Sequence, residues 1–166
     1  NGEFEHFARQ LGLEAATSLQ LDSPFDYLNN ALFYLPRDLP EPNSPDFTDM
    51  MLDEAERVIN ASRGRAFLLF TSFRALNVAA DLLKDRVDYP LLVQGEAPRH
   101  ELLQRFRKAG NAVLLGTGSF WEGVDVRGNS LTCVIIDKLP FASPDDPLLQ
   151  ARNEDTKRRG GEPFSQ

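Results

Sequence analysis

The sequence predicts an α/β fold in three layers: a mostly parallel sheet with helices on both faces. Over most of the chain, short apolar runs alternate with amphipathic stretches of helical period. This alternation is typical of parallel strands joined by right-handed crossover helices. With 166 residues, 42% of them hydrophobic, the chain has the size of one globular domain with an ample core.

The first third of the chain is the least regular part of the sequence. Residues 2–13 have the spacing of a short amphipathic helix, which Gly12 ends. The alternation of polar and apolar residues at 18–22 predicts a strand, and residues 31–35 predict a second one. Four prolines in 36–45 indicate a stiff surface connection outside any helix or strand.

From residue 44 onward, helices and strands follow one another at short spacing. Ser44-Pro45-Asp46 is a typical helix start, and Arg63-Gly64 ends that helix. Ser72 can cap a second helix, and Pro98 can open a third. The predicted helices of this part run at 45–61, with Ser44 as its cap, and at 72–83, 98–109 and 147–159, and the predicted strands at 66–70, 91–94, 112–115 and 131–136.

The carboxyl ends of parallel strands meet at one edge of the sheet, which is where ligands bind in open α/β folds. These ends are predicted at Thr71, Gln94, Gly116 and Asp137. The third end opens a glycine-rich loop, residues 116–128, which carries the acids Glu122 and Asp125. Glycines let the backbone approach a ligand closely, so the loop is a candidate binding site. A surface turn with solvated acids is the alternative.

A dinucleotide-binding loop fits the sequence poorly. Gly116 and Gly118 follow a strand, but the third glycine comes at Gly123, too late for the G-x-G-x-x-G pattern. The stretch between Phe120 and the next strand is short and rich in turn residues. A crossover helix needs about a dozen residues of its own. The loop is therefore expected to join two strands without a full helix.

The composition excludes several classes of protein. The formal net charge of -7 argues against a domain that holds nucleic acid by bulk positive charge. Basic residues cluster at 99–108 and 157–159, where solvated helix faces are the simpler interpretation and local phosphate sites are the alternative. Cys133 is the only cysteine, which excludes a disulfide framework or a cysteine-ligated metal cluster in this chain. No apolar run approaches the about 20 residues of a membrane span, which favours a soluble, cytoplasmic protein without a membrane partner.

Five segments together resemble one helicase family. Residues 118–125, Gly-Ser-Phe-Trp-Glu-Gly-Val-Asp, resemble motif V of the XPD-like group of superfamily 2 helicases. Residues 69–72, Leu-Phe-Thr-Ser, resemble motif IV of that group. Residues 93–96 and 134–147 are similar to its bacterial DinG and YoaA branch. Residues 23–27, Ser-Pro-Phe-Asp-Tyr, match the segment that leads out of the first motor domain in that branch.

This resemblance implies a RecA-like P-loop NTPase fold, and it implies the second motor domain of an ATP-dependent, 5'-to-3' DNA helicase. The intact enzyme would couple ATP hydrolysis to translocation on single-stranded DNA in repair or replication. Residues 1–30 would lead out of the first motor domain. Residues 31–166 would form the second one, truncated before its arginine-finger motif. The partners implied are single-stranded DNA, the first motor domain, and replication or repair proteins.

The resemblance also implies roles for single residues. The residues that would contact backbone phosphates of the translocated strand are Thr71, Ser72, Thr117 and Ser119. The residues that would face the nucleotide are Glu122, Gly123 and Asp125. Lys138 and Phe141 would border the DNA path. There Phe141 would stack on a base, and packing in the core is the alternative for this side chain.

Several motifs of that family are absent from the chain. It has no G-x-x-x-x-G-K-[ST] loop for ATP phosphates and magnesium, no Asp-Glu pair after an apolar strand, no Q-x-x-G-R-x-x-R segment and no set of four cysteines. We therefore expect no catalytic residue here. ATP and Mg²⁺ would be held mainly by the first motor domain, any iron-sulfur cluster would lie outside the chain, and the chain alone would be inert. The alternative is a stand-alone helicase-like module that binds protein or nucleic acid without ATPase activity.

Overall fold

The computed structural model describes residues 4, 8, 11–13, 16–120, 122–124, 126, 128–139 and 146–161, and for Ser119 it describes the backbone alone. The contacts divide the chain into two units, Asn1–Leu35 and Pro36–Gln166. In chain order the elements are α1 (Tyr27–Asn30), α2 (Phe47–Ser62), β1 (Ala66–Leu69), α3 (Phe73–Leu83), β2 (Leu91–Val93), α4 (Arg99–Ala109), β3 (Val113–Gly116), β4 (Cys133–Ile136) and α5 (Pro147–Arg158).

The second unit is built on a sheet of four parallel strands in the order β2-β3-β1-β4. The two middle strands, β1 and β3, are buried along their whole length, whereas β2 and β4 at the edges are partly exposed. A strand covered on both faces must be apolar throughout, which explains the unbroken apolar runs that predicted β1 and β3. The predicted α/β fold with a parallel sheet is confirmed.

Successive strand residues face opposite sides of the sheet and pack into two separate cores. From β1, Ala66 and Leu68 join the core under α2 and α3, and Phe67 joins the core under α4. The helices contribute fully buried side chains to these cores, namely Leu52, Ile59, Leu76, Leu83, Leu102 and Phe106. Helices therefore cover both faces of the sheet, as predicted.

The helix ends of the second unit follow local signals in the sequence. The Ser72 Oγ accepts a hydrogen bond from the backbone N–H of Ala75 at 3.2 Å, which caps α3. Helix α2 ends at Arg63 and Gly64, whose φ angles of 56° and 70° are left-handed. A Cβ at Gly64 would lie 1.9 Å from the carbonyl oxygen of Asn111, so only glycine fits there. The boundaries predicted for α3, α4 and α5 are confirmed to within one residue, whereas α2 begins at Phe47 with Asp46 as N-cap, two residues later than the predicted start.

The connection from β3 to β4 contains two short 3₁₀ turns, Gly118–Phe120 and Gly128–Ser130, and no α-helix among its described residues. The predicted lack of a crossover helix is therefore confirmed for the described part. Phe120 is buried in the core under α4, and Val124 and Val126 pack against the same core. The glycine-rich loop thus helps to cover one face of the sheet.

The first unit departs from the sequence-based expectation. No strand forms at 18–22 or 31–35, so both of these predictions are wrong. A strand needs a neighbour that pairs with its backbone and a core that covers one face, whereas Leu19 is 77% exposed and Leu32 is 91% exposed. Most of the predicted helix at 2–13 lies outside the described residues. The described helical positions in it are Phe4, Ala8 and Leu11.

The structural division falls after Leu35, whereas the predicted second motor domain begins at residue 31. The assignment of 1–30 and 31–166 to parts of an intact protein stays a prediction. In the ranges that the structure describes, no helix combines the length and the apolar character needed to cross a membrane.

Candidate functional site

The carboxyl ends of the four strands meet at one edge of the sheet, as the sequence predicts. The last residue of β1, Leu69, is paired with Gly116 of β3 on one side and with Ile136 of β4 on the other. Hydrogen bonds then connect the residues beyond the strands. The backbone N–H of Thr71 donates to Asp137 Oδ1 at 3.1 Å, while Gln94 bonds the backbone after β3. Four separate segments of the chain therefore form one polar surface.

Thr71 and Ser72 lie on this surface at the start of α3, and both are exposed. The capping bond of Ser72 uses an oxygen lone pair, so its hydroxyl proton remains a donor. The amino end of a helix carries partial positive charge and backbone N–H groups that favour anions. This pair is therefore suited to a phosphate group.

Thr117 is only 6% exposed, and its polar groups bond within the protein. Its backbone N–H and its hydroxyl both donate to Oε1 of Gln94, at 2.6 and 3.2 Å. The facing atom of Gln94 must be the oxygen, because a backbone N–H can only donate. The Thr117 hydroxyl proton thus points at Gln94. Contact of Thr117 with a phosphate stays a prediction, and the side chain of Ser119 lies outside the described residues.

Gly116 and Phe120 fit against each other at the start of the loop. The Phe120 side chain is 3% exposed, and its backbone N–H donates to the carbonyl oxygen of Thr117 at 2.7 Å. A Cβ at Gly116 would lie 2.8 Å from the Cβ and Cγ atoms of Phe120. Glycine at the end of β3 therefore leaves the room in which the Phe120 ring packs.

The far end of the described loop is held by Arg99 at the start of α4. The Arg99 Nη2 donates to the backbone carbonyl oxygen of Glu122 at 2.8 Å, and its guanidinium lies 5.7 Å from the centre of the Phe120 ring. Gly123 follows with a left-handed φ of 65°. Glu122 is exposed, so its carboxylate is accessible to a ligand. Asp125, the third predicted nucleotide contact, lies outside the described residues.

The end of β4 contributes a half-buried acid and a lysine. Asp137 Oδ1 accepts from the backbone N–H of Lys138 at 2.6 Å as well as from Thr71. Burial raises the pKa of the Asp137 carboxyl above its usual value, although these two hydrogen bonds act in the opposite direction. The Lys138 ammonium donates to the carbonyl oxygen of Pro42 at 2.5 Å and lies 5.0 Å from the centre of the Phe47 ring. Its contact with DNA stays a prediction, as does that of Phe141, which lies outside the described residues.

Comparison with known proteins decides the family. Residues 55–166 match the family described as the helicase C-terminal domain. The chain belongs to this family. Together with the parallel sheet, this confirms the predicted RecA-like α/β fold and the resemblance to the DinG and YoaA branch.

Several relatives of this helicase C-terminal domain carry helicase names. The chain is 49% identical over 166 residues to the ATP-dependent DNA helicase YoaA of Escherichia coli, with 100% of the chain and 26% of that protein covered. It is 38% identical over 167 residues to the ATP-dependent helicase DinG of Mycobacterium tuberculosis, with 98% and 25% covered. A Bacillus subtilis relative, 32% identical over 173 residues with 98% and 19% covered, is named 3'-5' exonuclease DinG. The chain therefore spans about a quarter or less of the length of these relatives.

Two residues of this helicase C-terminal domain were not among the predicted site residues, although both contact the loop. Gln94 was predicted as the end of a strand, within a segment similar to the DinG and YoaA branch, and Arg99 as part of a basic cluster on a solvated helix face. The sequence offered a signal for each of them. Gln94 is a polar residue directly after an apolar strand, and Arg99 is a cation in the first turn of the next helix. In the part of the chain that the structure describes, no group of three His, Cys, Asp or Glu side chains is placed to hold a metal ion.

Proposed function

We propose that this chain is the second motor domain of a cytoplasmic, ATP-dependent DNA helicase that moves 5'-to-3' along single-stranded DNA in repair or replication. The observation that carries the proposal is the meeting of Thr71, Ser72 and the glycine-rich loop at one edge of a parallel sheet. Membership of the helicase C-terminal domain family and the names of the relatives support it.

The proposed DNA contacts use chemistry that does not read base sequence. Thr71 and Ser72 offer a hydroxyl and a helix terminus to backbone phosphates, and Thr117 and Ser119 follow β3 at the same edge. A translocating motor must bind every base equally, so contacts to phosphates suit it. Lys138 and Phe141 would complete the DNA path, the first as a charge and the second as a surface for base stacking.

The proposed nucleotide contacts lie at the far end of the same loop, at Glu122, Gly123 and Asp125. The exposed Glu122 carboxylate and the left-handed backbone at Gly123 are suited to a ribose hydroxyl or an arginine from a facing domain. The first motor domain would hold ATP phosphates and Mg²⁺, and any iron-sulfur cluster would also lie there. When bound between the domains, ATP would supply the free energy for stepping.

The test uses the intact protein and measures ATP hydrolysis with and without single-stranded DNA. We expect stimulation by DNA. Asp125→Ala should lower the stimulated rate about a hundredfold, equivalent to about 2–4 kcal/mol of transition-state stabilisation, with DNA affinity nearly unchanged. Thr117→Ala should instead raise the DNA concentration needed for half stimulation. If Asp125→Ala hydrolyses ATP at the wild-type rate with unchanged thermal stability, this loop does not face the nucleotide as proposed.

A strand-displacement assay on duplexes with a 5' or a 3' single-stranded tail tests the direction of movement. We expect unwinding only from the 5' tail. An intact protein that binds single-stranded DNA but hydrolyses no ATP would instead favour the stand-alone binding module. Nuclease activity without unwinding would connect the protein more closely to the activity named for the Bacillus subtilis relative.

A further inference from the structure

The glycine-rich loop is held at two points by residues of a single short segment between β2 and α4. Gln94, directly after β2, bonds the start of the loop at Thr117. Arg99, the first residue of α4, bonds the far end at Glu122 and lies over the ring of Phe120. We name residues 94–99 the loop clamp.

The Gln94 contact fixes both the backbone and the side chain at the start of the loop. One oxygen, Oε1, accepts from the Thr117 N–H at 2.6 Å and from the Thr117 hydroxyl at 3.2 Å. Both Thr117 donors are thus committed to Gln94, and because phosphate oxygens only accept, a phosphate can bond the Thr117 hydroxyl only by taking its proton from Gln94. Gln94 thus determines how Thr117 is presented at the edge where DNA is proposed to bind.

Arg99 holds the far end of the loop by contacts with Phe120, Glu122 and Gly123. Its guanidinium donates to the Glu122 carbonyl and lies against the Phe120 ring. It also lies close to Gly123, because a Cβ added there would be 3.6 Å from Arg99 Nη2. Planar guanidinium groups are suited to such combined stacking and hydrogen bonding. Because Arg99 belongs to α4, which is anchored in the core by Leu102 and Phe106, the far end of the loop is tied to a rigid helix.

We propose that Gln94 and Arg99 are positioning residues that hold the DNA end and the nucleotide end of the loop in fixed relation. The clamp is a short segment between a strand and a helix, so a displacement of Thr117 by DNA is transmitted to Glu122 and Gly123. This coupling role rests on the proposed function. The two-point attachment of the loop does not, and it is tested separately.

The attachment is tested by amide hydrogen exchange on the 166-residue chain. Gln94→Ala removes the acceptor and should speed exchange at the Thr117 amide about fivefold or more. Gln94→Glu keeps an acceptor oxygen at the same place and should preserve the protection. The control is Gln104→Ala, an exposed glutamine of α4. Equal protection of the Thr117 amide in wild type and Gln94→Ala, at equal thermal stability, would overturn the attachment.

The coupling is tested by ATP turnover of the intact protein. Arg99→Ala should raise the KM for ATP or lower kcat about tenfold while leaving DNA affinity unchanged, and Arg99→Lys should recover part of the loss because a lysine can still donate to the Glu122 carbonyl. Gln94→Ala should mainly raise the DNA concentration needed for stimulation. The control is Arg107→Ala, a later exposed arginine of α4.

The outcomes separate the two proposals. If wild type shows DNA-stimulated turnover and Arg99→Ala matches Arg107→Ala, the coupling role is wrong while the helicase proposal stands. If wild type shows no stimulated turnover, the helicase proposal and the coupling both fail, and the exchange measurement still decides the attachment.

Discussion

Substitution of Gly116 by alanine probes the fit between the end of β3 and the loop that follows it. The new Cβ would lie 2.8 Å from two atoms of Phe120, a distance that Cβ contacts do not tolerate. The clash involves the Cβ and Cγ of Phe120, so a rotation of the ring alone cannot relieve it. Either the ring leaves the core under α4 or the backbone at 116–120 shifts.

Overpacking of this kind costs about 1–3 kcal/mol of unfolding free energy. Phe120→Ala alone should cost about 3–5 kcal/mol, since the ring is 3% exposed. In the Phe120→Ala background the contact with Cγ is gone but the 2.8 Å contact with the Cβ of residue 120 remains, so Gly116→Ala should cost less than in wild type without becoming neutral. The double-mutant cycle should therefore show a coupling between the two positions of about 0.5 kcal/mol or more that is smaller than the full cost of Gly116→Ala in wild type.

The assay is urea denaturation of the chain, followed by circular dichroism. The matched control is Gly118→Ala, because a Cβ there meets no heavy atom within 4 Å, and its effect should stay within about 0.5 kcal/mol. If Gly116→Ala is as mild as Gly118→Ala, or costs the same with and without the Phe120 ring, the steric reasoning for this glycine is refuted.

Three further predictions concern the sheet edge and the isolated chain. Asp137 Oδ1 accepts from the backbone N–H groups of Thr71 and Lys138, and Asn offers the same oxygen, while burial raises the pKa of the acid above its usual value of 3.8. The unfolded chain therefore ionises at lower pH than the folded one, and ionisation of Asp137 lowers the free energy of unfolding as pH rises from about 3.8 through the raised pKa. Asp137→Asn should become progressively more stable relative to wild type over that rise in pH. A stability difference that does not change with pH in urea denaturation would contradict this. The isolated chain should give no saturable heat with ATP and Mg²⁺ in calorimetry, where a micromolar Kd, about -8 kcal/mol, would disagree. Its binding to single-stranded DNA should be weak and fall steeply with salt in fluorescence anisotropy.

The sequence alone was sufficient to predict the helices and strands of the second unit. Helix ends depend on neighbouring residues, such as the Ser72 cap or Gly110 after α4, so they can be read locally. Buried parallel strands need apolar side chains on both faces, which leaves an unbroken apolar run in the sequence. The same local reasoning was wrong at 18–22, where polar and apolar residues alternate, and at the apolar run 31–35, because no neighbouring strand pairs with either segment.

Only the tertiary structure decided which polar residues meet. The sequence placed Thr71, Gln94 and Asp137 at strand ends, and it could not show that Thr71 bonds a residue 66 positions away or that Gln94 bonds one 23 positions away. Nor could it show that the Lys138 ammonium bonds the carbonyl of Pro42, 96 positions away. Such pairs depend on strand order and register. Strand order and register are set by the packing of whole helices and strands on a shared core. The hydrophobic periodicity of one segment does not encode this packing.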